Sequence, residues 1–496
     1  MLIAVIPVTD YISTKAQLQL ALNQVDGVEL RLDYIDKLDI AMLTKLRNEF
    51  TLPMIFTLRK KTQGGLYSKN EQQRLATLLT LCGLNPEYMD IEYDTDKDFL
   101  QQLSQTYPQI KLICSYHDFT HTPENLTNIF QTLEAPHFTA YKIATQANNS
   151  IDGLRMLAFA KTINQQHHFT GICMGEDGEF TRILSPVVNN FFHYTILKKE
   201  QTTAAGQLTL EELESIYHFR QLTAATKIYA VLGNPVKSSV GYILHNRAIR
   251  LLGENAVYIR LRLTAEELKR ALNICRKLPF AGFSVTMPLK ETIVGLVDQI
   301  DSSAQAIAAI NTIALRQQKY LGYNTDGIGA VQALGEVMPL NKQTILIIGA
   351  GGAARAIAYV ARQQGAKIII LNRTLAKAQK LAAEVAGQAE QLNPDFDFRK
   401  LDYTTLVNTL PALAYAEPIM QSSHLTPNQL AMDIVYRPRL TPFLQWTAQA
   451  NYHCIPGYKM YISQALGQIQ HWFNPSSSAL TDIQQMMTLW FEEGNT

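Results

Sequence analysis

Across roughly its first two hundred residues the chain alternates short apolar or β-branched runs with amphipathic stretches, and no other feature restricts its fold so strongly. The runs are LIAVIPV, GVELRLD, MIFTLRK, YMDIEYD, KLICSYHD, AYKIAT, TGICMG and FFHYTIL, with segments such as EQQRLATLLTLC and SIDGLRMLAFAKTI between many of them. Eight strand-helix units in slightly over 200 residues are what a (β/α)8 barrel requires, and in such a barrel the chemistry sits at the C-terminal ends of the strands. Ionisable residues stand at those ends. Glu29 and Arg31 end the second run, Arg59 the third, Glu92 the fourth, His117 the fifth and Lys142 the sixth, while Arg182 lies in the loop after the seventh. They converge on one mouth.

Lys142 lies within Ala-Tyr-Lys-Ile-Ala, in a strand that a barrel buries on both faces. Desolvation disfavours the ammonium and makes a neutral amine available to attack a ketone and form a Schiff base. The alternative is a structural lysine paired with a strand-end carboxylate. His117 adds an imidazole that titrates near neutrality and can take and return a proton beside an iminium. Arg31, Arg59 and Arg182 are either solvated charges or guanidiniums facing a substrate carboxylate or a hydroxylated ring.

The 496 residues correspond to about three domains at roughly 150 residues each. Forty-four Lys plus Arg against 43 Asp plus Glu leave a net charge of +1, and no basic stripe is present, so a nucleic-acid partner is not expected. The five scattered cysteines contain no CxxC pair, which argues against a disulfide framework and against a thiolate zinc site; no metal is expected. The apolar run Leu2 to Val8 lacks the basic flank and cleavage site of a signal peptide and reads as a first strand. The longest membrane-span candidate, Ile345 to Ala361, is interrupted by four glycines or charges, so a soluble, cytoplasmic protein without a membrane partner is expected.

After residue 222 the pattern changes. TILIIGAGGAARAIAYVA is a buried strand running into a glycine turn and a helix, and Gly349-x-Gly351-x-x-Ala354 fits the dinucleotide fingerprint, in which glycine permits a tight turn and close approach of pyrophosphate to a helix N-terminus. A second strand, KIIILNRT, follows about twenty residues on and ends in Asn372-Arg373-Thr374 rather than in an acidic residue. Arg373 there suits a 2′-phosphate, favouring NADP over NAD; its alternative is a solvent-facing loop charge. Lys290 and Asp326, from an intervening segment with its own strands, form a candidate dyad to supply and orient the proton that accompanies hydride transfer to a ketone.

Several motifs of the first half occur in one order: Glu29-Leu-Arg31-Leu-Asp33, Phe-Thr-Leu-Arg59 with Gly64-Gly65, Ser115-Tyr-His117-Asp118, Tyr-Lys142-Ile-Ala, Phe180-Thr-Arg182 and Ala205-Gly206-Gln207. Together they resemble type I 3-dehydroquinate dehydratase over residues 1–221. The resemblance implies a Schiff base between Lys142 and the C3 ketone. It makes His117 the group that abstracts the C2 proton and protonates the departing hydroxyl, with Glu29 assisting, and it places substrate on Arg59, Arg182 and Gln207. Gln63 stands where the family commonly has Glu before Gly-Gly.

The second half carries Gly233-Asn234-Pro235, Ser284-Val-Thr286-x-Pro288-x-Lys290, Ala309-Ile-Asn311-Thr312, Asn324-Thr-Asp326-Gly327, the glycine turn, Asn372-Arg373-Thr374, Asp433-x-x-Tyr436 and Gly457-x-x-Met460 with Gln464-Ala465. These resemble shikimate dehydrogenase. The resemblance implies a catalytic Lys290–Asp326 dyad, substrate on Ser239, Thr286, Asn311 and Gln464 with Tyr436 flanking, and NADP on Gly349, Gly351, Gly352, Ala353, Asn372, Arg373 and Thr374. It divides the half into a substrate domain over 222–326, a Rossmann domain over 327–445 and C-terminal helices over 446–496 that pack back on the substrate domain. Within GNPVKSSVGY, Gly241 replaces a second carboxylate-binding serine, which either weakens carboxylate binding or makes room for a bulkier acid such as quinate; NTLPALAYAE departs where nicotinamide contacts are expected. The whole reads as an α/β enzyme that dehydrates 3-dehydroquinate and then reduces 3-dehydroshikimate to shikimate with NADPH. A quinate dehydrogenase and a non-catalytic metabolite sensor are the alternatives.

Overall fold

Strands β1 (Leu2–Pro7), β2 (Gly27–Arg31), β3 (Met54–Thr57), β4 (Tyr88–Glu92), β5 (Lys111–Asp118), β6 (Ala140–Gln146), β7 (Phe169–Met174) and β8 (His193–Thr195) occupy the eight expected runs. In this computed structural model, which describes residues 1–394, 396–410 and 425–494, they pair in parallel in the order β7-β6-β5-β4-β3-β2-β1-β8. Between β7 and β8 the ring is bridged by Phe191 N donating to Phe169 O at 2.9 Å and Phe192 N to Thr170 Oγ1 at 3.0 Å. This is a TIM-type barrel. Six of its helices begin where Asp10, Asp39, Asn70, Asp96, Asn125 and Asn149 accept a hydrogen bond from the first turn, the local signal that ends each strand-to-helix loop.

Side chains two apart share a strand face, and this period sorts the interior. Ile3, Ile55, Tyr88, Ile113, Ala140 and Phe192 fill the lower barrel. Further along the same faces come Thr57, Asp90, Ser115 and Lys142, then Glu92 and His117. The apolar floor excludes water beneath a charged upper layer.

The rest of the chain adds β9 (Lys227–Gly233), β10 (Ala256–Arg262), β11 (Phe280–Val285), β12 (Gln299–Ile300), β13 (Thr312–Arg316) and β14 (Lys319–Tyr323). These are followed by β15 (Thr344–Ile348), β16 (Lys367–Asn372), β17 (Gln388–Gln391), β18 (Thr405–Asn408), β19 (Leu430–Asp433) and β20 (His453–Ile455). The chain divides into two compact units, Met1–Ile228 with Asn255–Phe280 and Tyr229–Glu254 with Ala281–Thr496. Strand β10 and the helix Ala265–Cys275, which follow the barrel in sequence, thus group with it, and that helix packs on the barrel helix Ser150–Ile163.

In the second unit β9, β11, β13, β14 and β12 lie in that order, with β13 antiparallel to both of its neighbours. A parallel sheet, β17-β16-β15-β18-β19-β20, forms the Rossmann layer. The helix Asp326–Gly335 packs against both Gly352–Gln363 and Gly457–Phe473. Its glycines permit this: a Cβ on Gly327 would meet Ala356 O at 2.4 Å, and one on Gly329 would meet Gln464 N at 2.8 Å. Among the described residues no helix is long and apolar enough to cross a membrane.

Candidate active sites

The upper barrel holds a continuous alternation of charges. Lys142 Nζ donates to Asp90 Oδ2 at 2.9 Å and to Glu29 Oε1 at 3.3 Å, and lies 4.5 Å from the centre of the Tyr194 ring. Asp90 Oδ1 accepts from Arg59 Nη2 at 2.7 Å and from Ser115 Oγ at 2.6 Å; Arg59 reaches Glu92 at 3.5 Å, and Glu92 accepts from the fully buried Arg74 at 2.7 Å. Burial alone would raise the Asp90 carboxyl, but the Arg59 guanidinium and then the Lys142 ammonium outweigh it and hold Asp90 well below the usual carboxylate range. Both sequence readings of Lys142 therefore meet in one residue: it is paired with carboxylates and it lines the pocket.

That pocket opens onto about 540 Å³ and is lined by Glu29, Lys142, His117, Arg182, Gln207 and Tyr194 among others. Burial, reinforced by Arg59 and Lys142, pushes the His117 imidazole well below its ordinary value, so the ring is a neutral base. Its Nδ1 is buried without a hydrogen-bond partner. Gln63 Oε1 accepts from the His117 backbone N–H at 2.9 Å rather than from the ring. The turn after Gln63 lies under Phe119: a Cβ on Gly64, at φ +74°, would meet that ring at 2.0 Å.

The three guanidiniums expected to face the mouth differ. Arg31 is bidentate on Asp33, with both bonds 2.9 Å, and Asp33 also accepts from Leu66 N, so this pair fastens the Gly64-Gly65 turn. Arg59 is engaged with Asp90, Ser115 and Glu92. Arg182 has no ion pair among the described residues, its Nε is buried without a partner, and burial lowers the guanidinium to about 10. A buried, unpaired cation of this kind is a receptor for an anion. Gln207 lines the same pocket and accepts from Thr203 N at 2.7 Å and Ala204 N at 3.1 Å, fixing the turn above it.

The second unit builds a different site. Lys290, on the short helix Leu289–Thr292, donates to Asp326 Oδ2 at 2.6 Å, and Asn311 Nδ2 donates to Asp326 Oδ1 at 2.8 Å. Asn311 lies 3.4 Å from Gln464 Oε1, and Thr325 Oγ1 donates to Gln464 O at 3.0 Å. From Gln464 the helix leads to Tyr461, whose ring lies 4.9 Å from that of Tyr436; the Tyr436 hydroxyl meets Ser239. Lys290, Asp326, Asn311, Gln464, Tyr436 and Ser239 thus form one chain of contacts. Thr286 stands apart from it, with its N–H on Leu232 O and its methyl against Gly233.

The glycine turn faces the dyad. A Cβ on Gly352 would lie 3.6 Å from Lys290 Cβ, and Gly349 is at φ +113°, where a Cβ would meet Thr409 Oγ1 at 2.3 Å. Gly351 caps the helix Gly352–Gln363 without any side-chain hydrogen bond, and a Cβ there would meet nothing within 4 Å. The orphan N–H groups at this helix start and the clear space over Gly351 fit a phosphate. Asn372 Nδ2 donates to Thr374 O at 3.0 Å, and Arg373 is exposed at the end of β16. Of NTLPALAYAE, residues 411–417 lie outside the described residues.

Sequence reasoning passed over three groups. Asp90 and Tyr194 lie inside the barrel, and the strand period in YMDIEYD places Asp90 on the same face as Glu92. Gln468, the third, accepts from Ser284 Oγ at 2.8 Å, contacts His245 Nε2 at 3.2 Å and donates to Asn311 O at 3.1 Å; no pattern in sequence marks it.

Residues 2–224 match the family model for type I 3-dehydroquinase, 231–313 that for the shikimate dehydrogenase substrate binding domain, and 332–404 that for shikimate/quinate 5-dehydrogenase. The chain is 36% identical over 475 residues to the shikimate biosynthesis protein AroDE of Chlamydia pneumoniae, covering 95% of each chain. It is 32% identical over 469 residues to the chloroplastic bifunctional 3-dehydroquinate dehydratase/shikimate dehydrogenase of Arabidopsis thaliana, covering 90% of this chain and 77% of that one. Its second half is 37% identical over 265 residues to the shikimate dehydrogenase (NADP(+)) of Methanocaldococcus jannaschii, covering 51% of this chain and 93% of that one.

Proposed function

Because this chain belongs to the family of bifunctional enzymes that fuse a type I 3-dehydroquinase to a shikimate dehydrogenase, we propose that its two pockets run consecutive steps with the residues located above. In the barrel, the Lys142 amine adds to the C3 ketone of 3-dehydroquinate and expels water, leaving a cationic iminium. Neutral His117 removes a C2 proton, the electron pair flows into the iminium, and the proton returns to the C1 hydroxyl as it departs as water. Glu29 and Asp90 take up the charge that Lys142 presents before and after addition. Arg182 receives the substrate carboxylate, while Arg31, Arg59 and Gln207 shape the pocket. Hydrolysis releases 3-dehydroshikimate.

In the second unit Lys290, held by Asp326, gives a proton to the ketone oxygen of 3-dehydroshikimate as the alcohol forms. Ser239, Thr286, Asn311, Tyr436 and Gln464 bind the carboxylate and hydroxyls. NADPH, when bound, supplies the hydride. Gly349, Gly351, Gly352 and Ala353 would hold its pyrophosphate, and Asn372, Arg373 and Thr374 its adenosine end, with Arg373 suited to a 2′-phosphate. The NADP(+) named for the Methanocaldococcus jannaschii relative supports that choice. The working division is 1–221 for dehydration, 222–326 for substrate, 327–445 for cofactor and 446–496 for the closing helices, in a cytoplasmic protein.

The observation that carries this reading is the buried Arg182, which has no ion pair among the described residues and lies in the same pocket as Lys142 and His117. Borohydride added with 3-dehydroquinate should fix ligand mass on Lys142; a modified peptide elsewhere, or none, rejects the Schiff base. The Gly241 replacement supports a second reading, quinate oxidation. Turnover of quinate at a rate comparable to shikimate would establish it, and turnover of shikimate alone would remove it.

A further inference from the structure

The turn that presents Arg182 is held from two sides. Inside, Thr181 Oγ1 accepts from Cys173 N at 3.0 Å and donates to Gly178 O at 2.7 Å, and the turn passes so close to β7 that a Cβ on Gly178 would meet Cys173 O at 2.5 Å. Outside, the turn carries Asp177 and Glu179, two residues apart, and β10 carries Arg260 and Arg262, also two residues apart and so on one strand face. Arg262 is bidentate on Asp177, with Nε to Oδ1 at 2.7 Å, and Arg260 Nη2 lies 3.0 Å from Glu179 Oε1. The same segment grips a second loop of the mouth: Arg270 donates to Glu124 Oε2 at 2.9 Å in the loop after β5, the strand of His117.

We propose that Arg260 and Arg262 are positioning residues for dehydration, setting through Glu179 and Asp177 the turn from which Arg182 receives the substrate carboxylate. This rests on the reading of Arg182 given above. β10 follows the barrel in sequence, yet its cations hold the turn that carries Arg182 into the barrel's pocket. The pairs are partly exposed, with 44% of the Arg262 side chain accessible, so they contribute little to global stability and their work is local. Arg182 needs that help because its own turn includes only the four-residue helix Phe180–Ile183, and a guanidinium displaced by a fraction of an ångström loses a two-point grip on a carboxylate.

The test uses the full chain. Arg260→Ala/Arg262→Ala is expected to raise KM for 3-dehydroquinate by roughly five- to tenfold with kcat within about twofold, while reduction of 3-dehydroshikimate by NADPH and the melting temperature stay at their wild-type values. The exchange Asp177→Arg/Arg262→Asp, made with Arg260 intact, is expected to reverse most of the rise in KM that Arg262→Ala produces. Arg182→Ala, measured alongside, is expected to raise KM further than either. An unchanged KM in the double variant beside a raised KM in Arg182→Ala overturns the positioning role and leaves the carboxylate reading standing. An unchanged KM in Arg182→Ala removes that reading, and this proposal with it. Parallel loss of both activities and of melting temperature in the double variant would mark the pairs as structural only and also overturn the proposal.

Discussion

Asp90 binds the barrel's charges together, taking Lys142, Arg59 and Ser115 on its two oxygens while fully enclosed. Asp90→Asn keeps the shape and removes the charge, leaving Lys142 to Glu29 and Arg59 to Glu92 at longer range. The expected result is a fold that survives with about 2–4 kcal/mol less stability, read from a urea midpoint, and dehydration slowed by roughly a hundredfold or more. His117 sets the pH dependence. Its folded pKa lies well below 6.5, so the neutral base persists as pH falls past 6.5 and the acid limb of kcat/KM for dehydration belongs below that value. Gln63→Glu places a carboxylate beside it, which favours the imidazolium, and is expected to move that limb to higher pH. A limb unmoved by this substitution would mean another group governs the profile.

Among the elements, the glycine turn between β15 and its helix separates folding from binding. Gly349 is at positive φ against Thr409, so Gly349→Ala is expected to lower both stability and cofactor affinity. Gly351 has ordinary backbone angles and open space, so Gly351→Ala is expected to leave the melting temperature within about a degree or two while raising KM for NADPH at least roughly tenfold, since only an approaching pyrophosphate would meet the new methyl. The helix Gly457–Phe473 provides a second case. Its Gln468 contacts His245, whose burial lowers its pKa to about 4. The unfolded imidazole protonates near 6.5 and the folded one does not, so the unfolded state binds more protons between those values and stability falls as pH drops from about 6.5 towards about 4. His245→Gln should flatten that part of a thermal melt series. These elements were legible to different degrees: the strand runs and the glycine turn are local and were plain in sequence, whereas Gln468 acts through partners 184 and 223 positions away and carries no local signature.

For the whole molecule, the two activities should be separable within one polypeptide. With 3-dehydroquinate and NADPH the enzyme is expected to yield shikimate. Lys142→Ala should oxidise no NADPH from 3-dehydroquinate yet turn over 3-dehydroshikimate normally, and Lys290→Ala should accumulate 3-dehydroshikimate; product identification by mass spectrometry distinguishes them. Formation of quinate instead would place reduction ahead of dehydration. The order of strands and helices, the glycine turn and the ordered motifs were determined by sequence alone, because strand period and turn chemistry are properties of neighbouring residues. Tertiary structure decided what becomes of charges that look alike in sequence. Arg31, Arg59 and Arg182 all stand near strand ends, but Arg31 takes Asp33 two residues along its own chain, closing the barrel brings Asp90 to Arg59, and Arg182 has no ion pair among the described residues. A buried charge takes its meaning from the partners that folding brings within about 4 Å, and for Arg59 and Lys142 those partners lie on other strands.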